Sequence, residues 1–108
     1  MERLMNTVGI IGFGRFGKTL ANILRKGFLI KAYDTKSDIM DSGSGFCSLE
    51  KVLMEQVVFI AVPISQFKSA IIEISKKINT KTTIIDVCSV KKYTSETMLK
   101  FLPKNLYY

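Results

Sequence analysis

The chain has 108 residues, of which 47% are hydrophobic, and this suits one domain built around a buried sheet. Its 16 basic and 9 acidic residues give a net charge of +7, but the basic residues are scattered from Arg3 to Lys104. Because nucleic-acid-binding proteins concentrate such charge on one face, we expect no nucleic-acid partner and interpret the charge as solvated surface.

Cysteine, histidine and apolar content narrow the classes of protein further. Cys47 and Cys88 are far apart and the chain has no histidine, which excludes the usual zinc-binding patterns, so we predict no metal. Two isolated cysteines fit a reduced, cytoplasmic protein. No apolar run is long enough to span a membrane, and Met1 to Asn6 is too short and mixed for a signal peptide, so we expect no membrane partner.

The most informative stretch lies between Thr7 and Asp34. An apolar run, Val8 to Ile11, predicts a buried strand and leads directly into glycines with the spacing G-x-G-x-x-G. A helix is predicted over Arg15 to Lys26, and a second strand over Phe28 to Tyr33 ends at an acid, Asp34. Strand, glycines, helix, strand and acid therefore follow in the order of a dinucleotide-binding unit.

Each residue of this pattern suits a site for two linked phosphates and a ribose. The first glycine permits a tight turn, the second lets backbone approach a pyrophosphate, and the third lets the helix pack closely on the strand. The helix N-terminus presents free N–H groups to the phosphates, and the carboxylate can accept hydrogen bonds from ribose hydroxyls. The predicted cofactor-binding residues here are Gly12, Phe13, Gly14, Arg15, Phe16, Gly17 and Asp34. The alternative is a tight turn that binds nothing.

The acid also bears on the choice between the two dinucleotides. The Asp34 carboxylate bonds a 2′-hydroxyl and repels a 2′-phosphate, which favours NAD. Thr35 and Lys36 follow at once, and a lysine there can meet a phosphate. We therefore expect NAD as the preferred cofactor, with NADP as the alternative.

The rest of the chain alternates in the same way. We predict one apolar side for the first helix, formed by Phe16, Leu20, Ile23 and Leu24. The further predicted elements are a loop over 35–45, a short strand at 46–47, a helix over 49–55 capped by Ser48, a strand over 57–62, a helix capped by Ser65, a turn over 79–81, a strand over 82–88, a helix within 89–102 and a strand opening at 106–108. Strands that alternate with helices predict a single α/β domain over residues 1–108, a Rossmann-type, doubly wound parallel sheet in three layers.

Two later segments fall where such a sheet binds its ligand. Val62 and Pro63 end one strand beside the predicted cleft, as cofactor-lining residues or as a plain strand end. Ser89 and Lys91 follow the next strand, where a hydroxyl and an ammonium group can hold an anionic substrate. Ser89 can equally be a helix N-cap, and Lys91 a surface residue.

Taken together, the segments G-F-G-R-F-G, V-F-I-A-V-P, D-V-C-S-V-K and F-L-P resemble the prephenate and arogenate dehydrogenase family over nearly the whole chain. This resemblance implies an oxidoreductase of tyrosine biosynthesis that decarboxylates a cyclohexadienyl acid oxidatively. It implies a catalytic role for Ser89, near the nicotinamide and the substrate. A plant-type relative would be plastidial.

The resemblance also marks a departure. The family places its catalytic histidine in an H-P-x-x-G motif shortly after the L-P segment, and a helical second domain supplies substrate-binding arginines and the dimer interface. The 108 residues contain no histidine. We therefore expect dinucleotide binding without turnover from this chain alone, and substrate binding only with that domain.

Two other functions stay open from the residues. One is another reductase of the same fold, such as a pyrroline carboxylate or imine reductase, against which the S-V-K segment argues. The other is a freestanding nucleotide-binding or regulatory module without catalysis. An apolar edge at Leu106 to Tyr108 further leads us to expect self-association into a homo-oligomer.

Overall fold

A computed structural model describes residues 6–35, 46–78, 82–87 and 91–102. The elements in chain order are β1 (Asn6–Ile11), α1 (Arg15–Leu24), β2 (Phe28–Tyr33), α2 (Leu49–Val52), β3 (Val57–Ile60), α3 (Ile64–Lys77), β4 (Thr83–Asp86) and α4 (Lys91–Phe101). Among these residues, no helix is both long and apolar enough to cross a bilayer.

The four strands form one parallel sheet in the order β2-β1-β3-β4. Ile11 at the end of β1 pairs with Tyr33 of β2 on one side and with Ile60 of β3 on the other. The chain therefore leaves β1 toward one neighbour and later returns to its opposite side. Such a reversal of strand order opens a crevice at the carboxyl ends of the strands, where open α/β sheets bind ligands.

Helices cover both faces of the sheet. Alternate strand residues point to opposite sides, and apolar residues on each side are buried under helices. On one face, Val8 and Ile10 pack with Ala21 of α1 in what we call the smaller core. On the other face lies the larger core, where Phe67, Ile71 and Ile74 of α3 are fully buried against the sheet. Two helical layers around a parallel sheet confirm the predicted α/β, three-layer, Rossmann-type architecture.

Most predicted elements occur, and several end earlier than expected. β2 has the predicted bounds, and Phe46 forms a single parallel bridge with Ala32 where a very short strand was predicted. The Ser48 cap is confirmed, since its hydroxyl accepts the Lys51 N–H at 3.3 Å. α2 is shorter than predicted because the chain tightens into turns with i→i+3 hydrogen bonds after Val52.

Two predictions about the helices are wrong. Ser65 does not cap α3, which begins one residue earlier, at Ile64, with Pro63 in the N-cap position. The buried face of α1 is centred on Gly17 and Ala21, while Phe16 and Ile23 are 53% and 59% exposed. The predicted turn at 79–81, the strand at 106–108 and most of the 35–45 loop lie outside the described residues.

Candidate functional site

A cavity of about 440 Å³ lies at the carboxyl ends of β1, β2 and β3, where the crevice was expected. Its volume falls within the usual range of small-molecule sites. Its walls are formed by Ile11, Gly12, Gly14, Tyr33, Asp34, Thr35, Leu49, Val62, Pro63, Gln66, Ser69, Ala70 and Glu73. The site thus joins the glycine turn, the end of β2, the end of β3 and one side of α3.

The turn at the end of β1 depends on a glycine. Gly12 has φ +97°, a conformation that L side chains rarely adopt, and its N–H donates to the Tyr33 carbonyl at 2.8 Å. A Cβ at this position would lie 2.8 Å from the carbonyl carbon and oxygen of Ala61 and from Cγ1 of Val62. The predicted tight turn is therefore confirmed, and it brings the end of β3 directly beside the loop.

The other two glycines have different surroundings. A Cβ at Gly14 would meet nothing within 4 Å, so this part of the bend is open space beside the cavity. A Cβ at Gly17 would overlap the carbonyl oxygen of Gly12, so only a glycine lets α1 start this close to the turn. Gly14 is the N-cap of α1, without a side-chain cap and without an acid in the first turn. The backbone N–H groups at this helix start suit an anion.

Asp34 is directed toward the loop, as the pattern requires. Its Oδ2 accepts the backbone N–H of Phe13 at 2.6 Å, and the residue also lines the cavity. A carboxylate offers about four acceptor positions on two oxygens, of which the Phe13 amide occupies one. The side chain of Phe13 is 7% exposed and packs in the smaller core. Phe13 therefore contributes to the loop through its backbone.

The remaining predicted residues divide into three groups. Thr35, Val62 and Pro63 line the cavity together with the glycines. Arg15 and Phe16 begin α1 and are exposed, and they are not among the residues of the cavity wall. Lys36 and Ser89 lie outside the described residues, and of Lys91 only its place as the first residue of α4 is described.

One wall was missed by sequence reasoning. Gln66, Ser69, Ala70 and Glu73 lie along one side of α3 and face the cavity. Their spacing of three or four residues is that of a single helix face, which runs beside the face buried through Phe67. A polar face directly after a strand-ending proline is a signal that could have identified this wall.

A salt bridge joins the two helices next to this wall. Lys77 Nζ of α3 lies 2.7 Å from Glu50 Oε2 of α2. The hydrogen bond raises the pKa of Lys77, with smaller contributions from the charge of Glu50 and from nearby Glu73 and Tyr33. The same bond lowers the pKa of the Glu50 carboxyl. Both side chains are solvent-exposed, so the pair contributes little to stability.

Most of the sequence matches a known protein family. Residues 25–107 match the profile of the nucleotide-binding domain of prephenate dehydrogenase. The chain belongs to this family. The match begins after the glycine turn, so the geometry of the turn and the family match are independent observations. No curated protein matches the chain with statistical significance.

Solved structures share the fold of this prephenate dehydrogenase domain. Prephenate dehydrogenase from Aquifex aeolicus, in complex with hydroxyphenyl propionate and NAD⁺, is 24% identical with a TM-score of 0.77, over 95% of this chain and 40% of that one. Arogenate dehydrogenase from Synechocystis is 17% identical with a TM-score of 0.74, over 88% and 37%. Glycerol-3-phosphate dehydrogenase from Coxiella burnetii is 22% identical with a TM-score of 0.75, over 93% and 38%. The chain thus spans about two fifths of the structures it matches.

The residues present fit a dinucleotide. The bend is open at Gly14, the helix start behind it is uncapped, and the acid after β2 faces the same cavity. The side chains of Ile11, Leu49 and Val62 supply apolar surface against which ring systems can pack. The described residues thus place an open bend, a carboxylate and apolar surface around one crevice.

Proposed function

We propose that this chain is the cofactor domain of a prephenate or arogenate dehydrogenase-like oxidoreductase of tyrosine biosynthesis, and that it binds NAD in preference to NADP. The observation that carries the proposal is the arrangement at the cavity. There, an open glycine bend and the carboxylate of Asp34 face the same space, and that carboxylate is already bonded to the Phe13 amide. The family match supports the same conclusion; it covers Asp34 but not the glycine turn.

In this proposal the loop holds the pyrophosphate and the acid holds the adenosine ribose. Gly14 leaves room for phosphate oxygens, and the N–H groups that begin α1, at Arg15 and Phe16, donate to them. Asp34 accepts from the ribose hydroxyls, while its charge and that of Glu73 disfavour a 2′-phosphate. Thr35, Lys36, Val62 and Pro63 complete the predicted cofactor contacts.

The reaction requires more than this chain offers. A bound nicotinamide supplies the acceptor for a hydride. We propose that Ser89 and Lys91, which follow β4 in the sequence, bind the substrate, a cyclohexadienyl acid. Because the 108 residues contain no histidine, we propose that they bind cofactor without turnover and that a further domain supplies the missing acid–base group. We also retain a homo-oligomer as part of the proposal.

The test is to titrate the chain with NAD and, separately, with NADP, and to measure the two Kd values by calorimetry. Asp34→Asn keeps an acceptor oxygen for the Phe13 amide but removes the charge, whereas Asp34→Ala removes both. Because hydrogen bonds to charged groups contribute about 1.5–3 kcal/mol, we expect both variants to lower the preference for NAD over NADP by about tenfold or more. Only the alanine variant should also weaken binding of both cofactors.

A matched control is Glu96→Ala, which removes an exposed carboxylate from α4. This variant should leave both affinities unchanged. An unchanged NAD-to-NADP ratio in Asp34→Asn would remove the acid from its assigned role. Failure of the unmodified chain to bind either dinucleotide would overturn the proposed function itself.

The missing histidine supports a second candidate, a nucleotide-binding module without catalysis. The two candidates differ in what a larger assembly does. Addition of the helical domain of a related dehydrogenase in trans should produce turnover of prephenate or arogenate only under the first. Turnover by the chain alone would contradict our assignment of inactivity in either case.

A further inference from the structure

Phe46 lies outside the glycine pattern and outside the cavity wall, yet it is the first described residue to return to the sheet after β2. It forms a single parallel bridge with Ala32, and the next N–H, of Cys47, donates to the Ala32 carbonyl at 3.0 Å. The side chain is half-buried and packs against the smaller core. Backbone and side chain therefore both hold Phe46 at the edge of the sheet beside β2.

Its ring reaches the glycine turn. The rings of Phe46 and Phe13 meet edge to face, with centroids 4.9 Å apart and planes at 82°. This geometry is the favoured one for aromatic pairs, since the positive edge of one ring meets the negative face of the other. Phe13 is the residue between the first two glycines, and its side chain is almost fully buried. The pair therefore fixes the side chain of a loop residue whose two neighbours have none.

The backbone of the same residue is the one that holds the acid. The N–H of Phe13 donates to Asp34 Oδ2 at 2.6 Å. Packing of the buried Phe13 ring against Phe46 and the smaller core restrains the position of the Phe13 Cα, and the N–H that bonds Asp34 is attached to that Cα. The contact of Phe46 with Phe13 is therefore transmitted to the carboxylate and to the turn at Gly12.

We infer that Phe46 is a positioning residue for dinucleotide binding, acting through Phe13 on the glycine turn and on Asp34. This inference rests on the proposed function. Phe46 itself does not line the cavity. It holds the loop in the shape that leaves the bend open and the acid directed at the ribose.

The test compares Phe46→Leu with Phe59→Leu. Phe59 on β3 is also a half-buried phenylalanine of the smaller core, but within the described residues its ring does not pair with Phe13. Both variants should lower the melting temperature of the free chain by similar amounts. Only Phe46→Leu should raise the Kd for NAD, by about two- to tenfold, the range that corresponds to one aromatic pair. Calorimetry with NAD and thermal denaturation without it give the two readouts.

A double-mutant cycle distinguishes specific coupling between Phe13 and Phe46 from a general loss of stability. Phe13→Leu should also raise the Kd, and Phe13→Leu with Phe46→Leu should be no worse than the more affected single variant, because they remove the same pair. Phe59→Leu combined with Phe46→Leu should be additive. If Phe46→Leu does not fold, Phe46→Met takes its place, and failure of both to fold overturns the positioning role in favour of a purely structural one.

The outcomes for the inference and for the proposed function are distinct. An equal rise in Kd for Phe46→Leu and Phe59→Leu, or no rise in either, overturns the inference while the unmodified chain still binds NAD. Absence of NAD binding by the unmodified chain overturns both.

Discussion

The first and second halves of this sheet are held in shape by different kinds of contact. In the glycine half, residues 6–35, each defining feature involves the backbone. Gly12 has φ +97°, α1 can start close to the turn only because residue 17 is glycine, and the Phe13 amide donates to the Asp34 carboxylate. In the apolar half, residues 57–102 as described, α3 buries Phe67, Ile71 and Ile74 completely.

We expect binding and stability to depend on largely different residues, with Ile11 and Leu49 common to the larger core and the cavity wall. The larger core contains the fully buried side chains of α3 and β4, and the cavity lies at its margin. The glycine half has a smaller core and carries the open bend. A substitution in one half should therefore change mainly stability, and one in the other mainly affinity. Two substitutions test this separation, and a third, on α2 between the two halves, tests a small contribution to stability alone.

The largest effect on stability is expected for Ile84→Ala. Ile84 on β4 is fully buried in the larger core and is not part of the cavity wall, so its truncation leaves a cavity that costs about 2–5 kcal/mol. The Kd for NAD should stay the same. Urea unfolding and an NAD titration measure the two quantities. Leu99→Ala, at a 54% exposed position on α4, is the control and should change stability by no more than about 0.5 kcal/mol. A higher Kd for NAD in Ile84→Ala would contradict the separation of stability from affinity.

A smaller loss of stability with a larger loss of affinity is expected for Gly12→Ala. An alanine backbone is strained at φ +97°, and the new Cβ would press on the backbone of Ala61. Together these effects should lower the free energy of unfolding by about 1–3 kcal/mol. Because the turn must shift, the Kd for NAD should rise by about tenfold or more, equivalent to about 1.4 kcal/mol. Gly27→Ala, where a Cβ meets nothing within 4 Å, is the control and should leave the Kd unchanged. Equal affinities of the two variants would argue against the glycine turn as the site.

The smallest effect is expected for Glu50→Gln. The hydrogen bond from Lys77 lowers the pKa of Glu50 from its ordinary 4.5, so the pair stabilises the fold above that pH and loses its effect as the pH falls through the folded-state pKa. The difference in melting temperature between the unmodified chain and Glu50→Gln should be small at pH 7 and should disappear as the pH falls through the folded-state pKa of Glu50. Lys77→Met should resemble Glu50→Gln at pH 7. A difference that grows on acidification would exclude this pair as its source.

Much of the fold could be predicted because its signals are local. β2 matches its predicted bounds, since an apolar run lies between a glycine and an acid. Ser48 was predicted as a cap from its position before a short apolar helix, and the structure confirms it. The tight turn at Gly12 followed from the spacing of the glycines alone.

The errors arose where several local rules competed. Apolar residues at helical spacing in α1 did not reveal which side faces inward, because the small Gly17 and Ala21 let the helix approach the sheet and leave Phe16 and Ile23 outside. Pro63 begins α3 earlier than a serine cap would have done. The contact of Phe13 with Phe46 joins residues far apart in sequence, and no pattern in a single chain announces such a pair.

The bond between the Phe13 amide and the Asp34 carboxylate has a kinetic consequence. This hydrogen bond holds the turn and the acid in one arrangement. Binding of a nucleotide therefore requires no ordering of this part of the crevice, and little conformational entropy is lost there on association. We therefore expect encounter rates governed by diffusion and by the surplus of basic residues, so that added salt slows arrival while departure changes little.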